Sequence, residues 1–311
     1  MPERIVIALG GNALLRQGDH GTAKEQAARG LAAMEALAPL ITSNRQLIIT
    51  HGNGPTVGAI LIRQQMARAV VPAMPLDVCD AESQGNIGYL LERALRQVVL
   101  QHGVHRPVAT LLSLVEIDPR DPAFIHPTKP IGPFLSTQEA EELARTAPVA
   151  RDSDRGFRRV VASPTPKHIL GIAAIETLLG TGTIVITLGG GGVPVARTGP
   201  HQLVGMEAVI DKDLSSSLLA REIGANTLII LTDIDCVYLD FLSVRRQPLR
   251  KMNVVEADLH LRNGEFLPGS MAPKIEAGVA FLRAGGQQVL IGLPEELPKL
   301  LTGEAGTTLI P

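Results

Sequence analysis

The stretch Arg4-Ile-Val-Ile-Ala-Leu-Gly-Gly-Asn-Ala-Leu-Leu15 decides the fold. An apolar, partly β-branched run leads straight into Gly10-Gly11-Asn12, and helix-compatible residues follow. That order reads as a buried strand, a tight turn and a helix start. Glycine lets backbone N–H groups approach a ligand closely, and the helix N-terminus beyond favours anions. Taken alone, the stretch fits an ordinary strand-to-loop turn equally well. Two later strands, however, also end in glycine clusters.

The first is residues 46–50, which run into His51-Gly-Asn-Gly-Pro-Thr-Val-Gly58. Pro55 suits the first turn of a helix whose free N–H groups look back at Gly52, Asn53 and Gly54. The spacing of Gly52, Gly54 and Gly58 is a weak match to a dinucleotide fingerprint, and no acidic residue ends the following strand, so that reading is rejected. The second is residues 182–188, which end in Gly189-Gly-Gly-Gly192. Each glycine costs roughly 0.5–1 kcal/mol relative to alanine, more than a plain turn requires, which favours close approach to phosphate at Gly190 and Gly191.

Between and beyond these points, strands alternate with amphipathic helices. Helices are expected over residues 22–40, 80–103, 167–179, from beyond Asp211-Lys-Asp213 to 223, and 275–284, and strands over 107–117, 227–232 and 287–291, with a polar stretch at 258–267. This alternation predicts an α/β fold: a three-layer αβα sandwich around a mainly parallel sheet, with ligands outside the carboxyl ends of the strands. Residues 118–166 differ in texture. Eight of the 22 prolines fall there, the apolar periodicity fades, and a small lid-like excursion from a single domain is expected.

Composition narrows the function. A net charge of −2, with no Trp and only eight Phe and Tyr residues, gives no footprint for nucleic acid. No apolar run reaches the roughly 18 residues that span a bilayer. No signal peptide is read, and Cys79 and Cys236 lack metal-type spacing, so a reduced cytoplasmic protein is expected. His102, His105 and His126 read as surface residues, and no metal site is expected. Of the 29 basic residues only seven are Lys. Three of these, Lys129, Lys212 and Lys274, lie inside glycine- or proline-marked motifs, where a compact ammonium rather than a planar fork is wanted.

Pooled at one sheet edge, these residues would supply three backbone nests, three ammonium groups and the carboxylates of Asp211 and Asp213. Nests and ammonium groups both stabilise phosphate oxygens, which points to phosphoryl transfer, a reaction driven by positioning and charge neutralisation. Asp211 also suits a helix N-cap. There is no G-x-x-x-x-G-K-[ST] segment and no His-Arg-Asp or Asp-Phe-Gly run.

Seven ordered motifs resemble carbamate kinases of the amino acid kinase superfamily: Ala8-Leu-Gly-Gly-Asn-Ala13, Thr50-His-Gly-Asn-Gly-Pro55, Ser83-Gln-Gly-Asn-Ile-Gly-Tyr89, Pro127-Thr-Lys-Pro-Ile-Gly-Pro-Phe134, Gly189-Gly-Gly-Gly192, Val209-Ile-Asp-Lys-Asp213 and Pro268-Gly-Ser-Met-Ala-Pro-Lys-Ile-Glu276. The resemblance implies reversible phosphoryl transfer between ATP and carbamate, giving ADP and carbamoyl phosphate, with Mg2+ carried by the nucleotide, in a homodimer. It implies that Gly10, Gly11, Asn12, Gly52, Asn53 and Gly54, with Gly190 and Gly191, hold the phosphoryl group and carbamate. Lys212 and Lys274 would bear on the nucleotide phosphates, Asp213 would orient them, and Lys129 would act from the lid at 118–166. Asp211, Thr232, Asp233 and Met271 would line the nucleotide site, so that residues 1–205 form mainly the acceptor side and 206–311 the nucleotide side. The chain departs from the pattern at Asp154-Arg-Gly-Phe157, Thr165 and Thr232-Asp-Ile-Asp235. Rival readings are a relative acting on another small carboxylic acid and a nucleotide-sensing module without turnover.

Overall fold

A computed structural model describes residues 2–10, 19–152, 156–241, 243 and 245–311. The opening stretch forms the strand Arg4–Leu9, which lies inside an eight-stranded sheet. Across the sheet the order is Lys251–Asn253, Thr307–Ile310, Gln288–Gly292, Thr227–Leu231, Arg4–Leu9, Gln46–His51, Ile184–Ile186 and Val108–Thr110. The six strands from Gln288–Gly292 to Val108–Thr110 are parallel, and the other two run against them.

Strand alternation explains why both faces are covered. Val6 and Ala8 project into one apolar cluster, together with Ile175, Leu219 and Ile275 from three helices. Ile5, Ile7 and Leu9 project into the other, with Met34, Leu91 and Leu95. The helices concerned are Ile172–Gly180, Lys212–Glu222 and Met271–Arg283 on the first face, and Ala23–Ala36 and Leu76–Gln101 on the second. The αβα sandwich expected from the alternation is therefore present.

Several local expectations need correction. Residues 107–117 are two strands rather than one: Val108–Thr110 sits at the edge of the main sheet, while Leu114–Ile117 joins a second sheet with Val193–Gly199, Gln202–Gly205 and Pro166–Ile169. Ser113 marks the break, since its N–H donates to Gln84 Oε1 (2.9 Å) instead of continuing a ladder. Residues 166–169 form that strand, and the helix expected from 167 begins at Ile172. The polar stretch from 258 belongs to the helix Val254–Arg262, started by an Asn253–Glu256 capping box that lies upstream of the polar run. Residues 118–166 hold more regular structure than their prolines suggested: an antiparallel sheet of Lys129–Leu135, Phe157–Val161 and Val149–Arg151, with the helix Thr137–Leu143. Proline is tolerated on such short strands at a sheet edge.

That small sheet is tied to the main body at Gly58 and Gly132. A Cβ on Gly58 would lie 2.0 Å from the Gly132 Cα. Only glycine lets the two backbones come this close.

Candidate active site

Four adjacent parallel strands end side by side, and each opens into a segment singled out above. Leu9 leads to Gly10, His51 to Gly52 and Asn53, Ile186 to the glycine run, and Leu231 to Thr232. Backbone bonds carry the alignment past the strand ends, with Gly10 N–H donating to Leu231 O (3.0 Å) and Gly52 N–H to Leu9 O (3.1 Å). Gly11 and Asn12 lie outside the described residues.

The glycine run is the keystone of this edge. Leu188 (φ 51°), Gly190 (φ 65°), Gly191 (φ 92°) and Gly192 (φ 92°) all have positive φ. A Cβ on Gly190 would sit 2.1 Å from Asn53 Nδ2, and one on Gly191 would sit 2.5 Å from Ile210 O. The turn is thus wedged between the Asn53 segment and the Asp211 segment, two parts of the chain far apart in sequence.

Asp211 caps the helix Lys212–Glu222, its Oδ1 accepting from the N–H groups of Asp213 (2.8 Å) and Leu214 (3.4 Å). Its other oxygen accepts from Lys129 Nζ at 2.5 Å, so one carboxylate serves both cap and ion pair. Lys129 arrives from the small sheet, whose Pro130 O lies 3.7 Å from the Cβ position of Gly54. Asp213 is 2 % exposed and accepts from two ammonium groups. Lys212 bonds its Oδ1, and Lys274 Nζ approaches Oδ2 at 3.0 Å while also donating to Ser270 O (3.2 Å).

The electrostatics follow from this packing. Burial alone would raise the pKa of Asp213, yet Lys212 and Lys274 outweigh it and hold the carboxylate well below its ordinary range. Asp211 is likewise held low, with burial opposed by the adjacent Lys129 ammonium. Burial works against the charge on Lys274, and Asp213 more than compensates, so its pKa lies above the lysine value. Lys129, Lys212 and Lys274, which sequence alone could only pool by inference, therefore share one cluster of two carboxylates.

Beside it opens a cleft lined by Thr232, Asp233, Ile234, Tyr238, Leu267 and Met271 among others. Tyr238 and Phe241 present rings 6.1 Å apart, and the Tyr238 hydroxyl donates to the Asp235 carboxylate (2.9 Å). The two rings are tilted by 56° to one another, and an apolar lining with polar groups at its mouth suits a heterocycle. Among the described residues, no group of three or more His, Cys, Asp or Glu side chains could hold a metal ion. No helix is long and apolar enough to cross a membrane among the described residues.

Sequence reading missed Asp80 and Arg158, and it named Ser83 only as the first residue of a motif, with no role. Asp80 and Ser83 lie on the buried face of the helix Leu76–Gln101, where they bond Asn53. Their signal was available: polar residues interrupting an otherwise apolar stripe that includes Leu76, Ile87 and Leu91. Arg158 Nε donates to Gly132 O (3.0 Å), bracing the small sheet beside Gly54. Of the departures in the motifs, Asp154 lies outside the described residues. Thr165 N–H donates to Asp121 Oδ2 (3.0 Å), and Phe157 pairs with Leu135 and Arg151 in the small sheet.

Glycine turns at adjacent strand ends, with buried lysine–carboxylate pairs beside a ring-lined cleft, define an α/β protein built to hold phosphate groups. The chain belongs to the amino acid kinase family, which it matches over residues 3–292. It is 42 % identical to the carbamate kinase-like protein YahI of Escherichia coli, covering 100 % of this chain and 99 % of that one. Identity to a carbamate kinase of Pyrococcus horikoshii is 41 %, with 100 % of both chains covered. The solved structure of a Giardia lamblia carbamate kinase bound to AMP-PNP superimposes with a TM-score of 0.90 at 36 % identity, covering 99 % of this chain and 98 % of the other.

Proposed function

We propose that this protein is an ATP-dependent carbamate kinase, catalysing reversible transfer of the γ-phosphoryl group between ATP and carbamate. A carbamate oxygen attacks the γ-phosphorus, the bond to the β–γ bridging oxygen breaks, and ADP leaves as carbamoyl phosphate forms. The observation that carries the reading is the joining of Lys212 and Lys274 through Asp213, two residues along the chain from Asp211 and its pair with Lys129.

In this reading residues 206–311 form mainly the nucleotide side. The purine lies in the cleft at Thr232, Asp233 and Met271, with Asp211 nearby at the helix cap, and Lys212 and Lys274 neutralise the nucleotide phosphates while Asp213 fixes both ammonium heads. Residues 1–205 form mainly the acceptor side. The segments Gly10, Gly11 and Asn12, Gly52, Asn53 and Gly54, and Gly190 and Gly191 hold the transferred phosphoryl group and carbamate; the N–H groups of Gly10, Gly52 and Gly191 already bond the Leu231, Leu9 and Leu188 carbonyls, so those residues shape the site by close backbone approach. Residues 118–166 act as a lid that brings Lys129 to the developing charge and excludes water. Each well-placed donor at that charge contributes about 2.7–4 kcal/mol. Mg2+ carried by the nucleotide would add charge neutralisation at its phosphates; among the described residues the carboxylates of Asp211 and Asp213 are engaged by lysines. The enzyme works as a cytoplasmic homodimer and runs toward ATP synthesis from carbamoyl phosphate in amino-acid or purine breakdown.

The test is ATP formation from ADP and carbamoyl phosphate by the purified protein, compared with other small acyl phosphates. ATP from carbamoyl phosphate supports the proposal. Preference for another acyl phosphate would instead identify a relative with a different acceptor, and nucleotide binding without turnover would identify a sensor.

A further inference from the structure

The Asn53 side chain is held at its NH2 end by two buried groups on the helix Leu76–Gln101. Nδ2 donates to Asp80 Oδ1 (2.9 Å) and to Ser83 Oγ (2.8 Å). The single hydroxyl hydrogen of Ser83 is already given to Asp80 O (2.7 Å), so its oxygen can only accept from Asn53. That fixes which end of the amide is NH2. Both amide hydrogens are then spent inside the protein, and the carbonyl Oδ1 is the polar atom left to Asn53 at the strand end. It lies against the glycine turn, 2.6 Å from where a Cβ on Gly190 would stand.

Asp80 itself is 1 % exposed, and its Oδ2 is buried with no hydrogen-bond partner. An ionised carboxylate with a bare, buried oxygen is costly, whereas the neutral acid is far less so. Burial accordingly pushes its pKa well above the carboxylate range, and the Asp77 carboxylate adds to this from one turn away.

We infer that Asp80 and Ser83 are positioning residues that lock the Asn53 amide with its carbonyl toward the acceptor, so that the site selects an acceptor carrying an N–H donor over one of the same shape that has none. This rests on the carbamate kinase reading and deepens it, because carbamate and acetate differ at that one substituent, amine against methyl. A site built to bond an N–H rejects the analogue lacking it, since a buried polar atom is otherwise left unpaired.

The experiment measures ATP formation from ADP with carbamoyl phosphate and with acetyl phosphate, for the wild type, Asp80→Leu, Ser83→Ala and Asp80→Asn. Expected is a loss of about tenfold or more in the carbamoyl-over-acetyl preference for Asp80→Leu and Ser83→Ala, the scale on which one hydrogen bond that orients Asn53 contributes. The KM for ADP stays within about twofold, because the nucleotide lies across the glycine turn. Asp80→Asn, which keeps an acceptor oxygen for Asn53, recovers most of the preference. An unchanged preference in Ser83→Ala and Asp80→Leu, or an equal loss in Asp80→Asn and Asp80→Leu, overturns the inference while the carbamate kinase reading survives. A wild type that makes no ATP from carbamoyl phosphate overturns both. If Asp80→Leu does not fold, Ser83→Ala decides, since it removes one buried oxygen and little volume.

Discussion

Lys274 Nζ lies 3.0 Å from Asp213 Oδ2 although the two residues are 61 positions apart, on different helices. Lys212 occupies the other oxygen of the same carboxylate. Removing either lysine leaves a buried anion with half its compensation, and removes a donor from the phosphate side. Lys212→Ala and Lys274→Ala are each expected to lower kcat by about 10²–10³, the usual cost of one preorganised donor at a developing charge. Steady-state kinetics with circular dichroism as a folding control checks this. Near-normal turnover in both variants would refute the roles given to them.

The wedge at Gly190 makes a sharper demand. An alanine there must adopt φ near 65°, which costs about 1–2 kcal/mol for an L-residue, and its Cβ would collide with the Asn53 amide. Overpacking of this kind adds about 1–3 kcal/mol. Gly190→Ala should therefore both destabilise the fold, seen in urea unfolding, and displace Asn53, seen as a raised KM for carbamoyl phosphate. A variant as stable and active as the wild type would show that the turn does not set the acceptor side.

The contact of Gly58 with Gly132 links lid placement to catalysis. Any side chain at 58 meets backbone rather than a yielding side chain, so the small sheet must move off the helix Gly54–Ala67. Because Lys129 begins the strand that contains Gly132, it moves as well. A displacement of about 1 Å at a catalytic group can cost 10²-fold. Gly58→Ala is expected to lose activity on that scale while ADP affinity, measured by calorimetry, stays close to wild type. Parallel loss of ADP binding would mean the contact serves the whole fold instead.

These relationships were legible in the sequence to different depths. Strand Arg4–Leu9 and its glycine exit could be read because period and punctuation are local properties, and every strand end that carries a glycine cluster fell on the same edge of the sheet. The break at Ser113 could not, because it depends on Gln84 arriving from a helix 29 residues away. Likewise the three lysines could be picked out as unusual, but not paired. Asp213 takes two of them and Asp211 the third, a division fixed by the fold and by no spacing along the chain. The small sheet at 129–161 was not legible because one of its strands carries two prolines and the other two are short, so its order rests on cross-strand pairing between distant residues.

His51 offers a prediction in a different variable. Its ring is fully buried against the glycine run, where a Cβ on Gly189 would lie 2.4 Å from Cε1, and Nδ1 donates to Gly52 O (3.1 Å). Burial lowers its pKa from 6.5 to about 4, with the Gly52 carbonyl opposing weakly. The unfolded chain therefore binds a proton more readily than the folded one. Stability is unaffected above pH 6.5 and falls as pH drops from 6.5 toward about 4, by about 2 kcal/mol at pH 5 for this one group. The depressed carboxylates Asp211 and Asp213 act lower, because their contribution is lost only below the ordinary aspartate value of 3.8. Urea unfolding at pH 7 and pH 5 should show the difference in the wild type and a much smaller one in His51→Gln. An identical pH dependence in the two proteins would mean that His51 does not carry the acid sensitivity of this strand end.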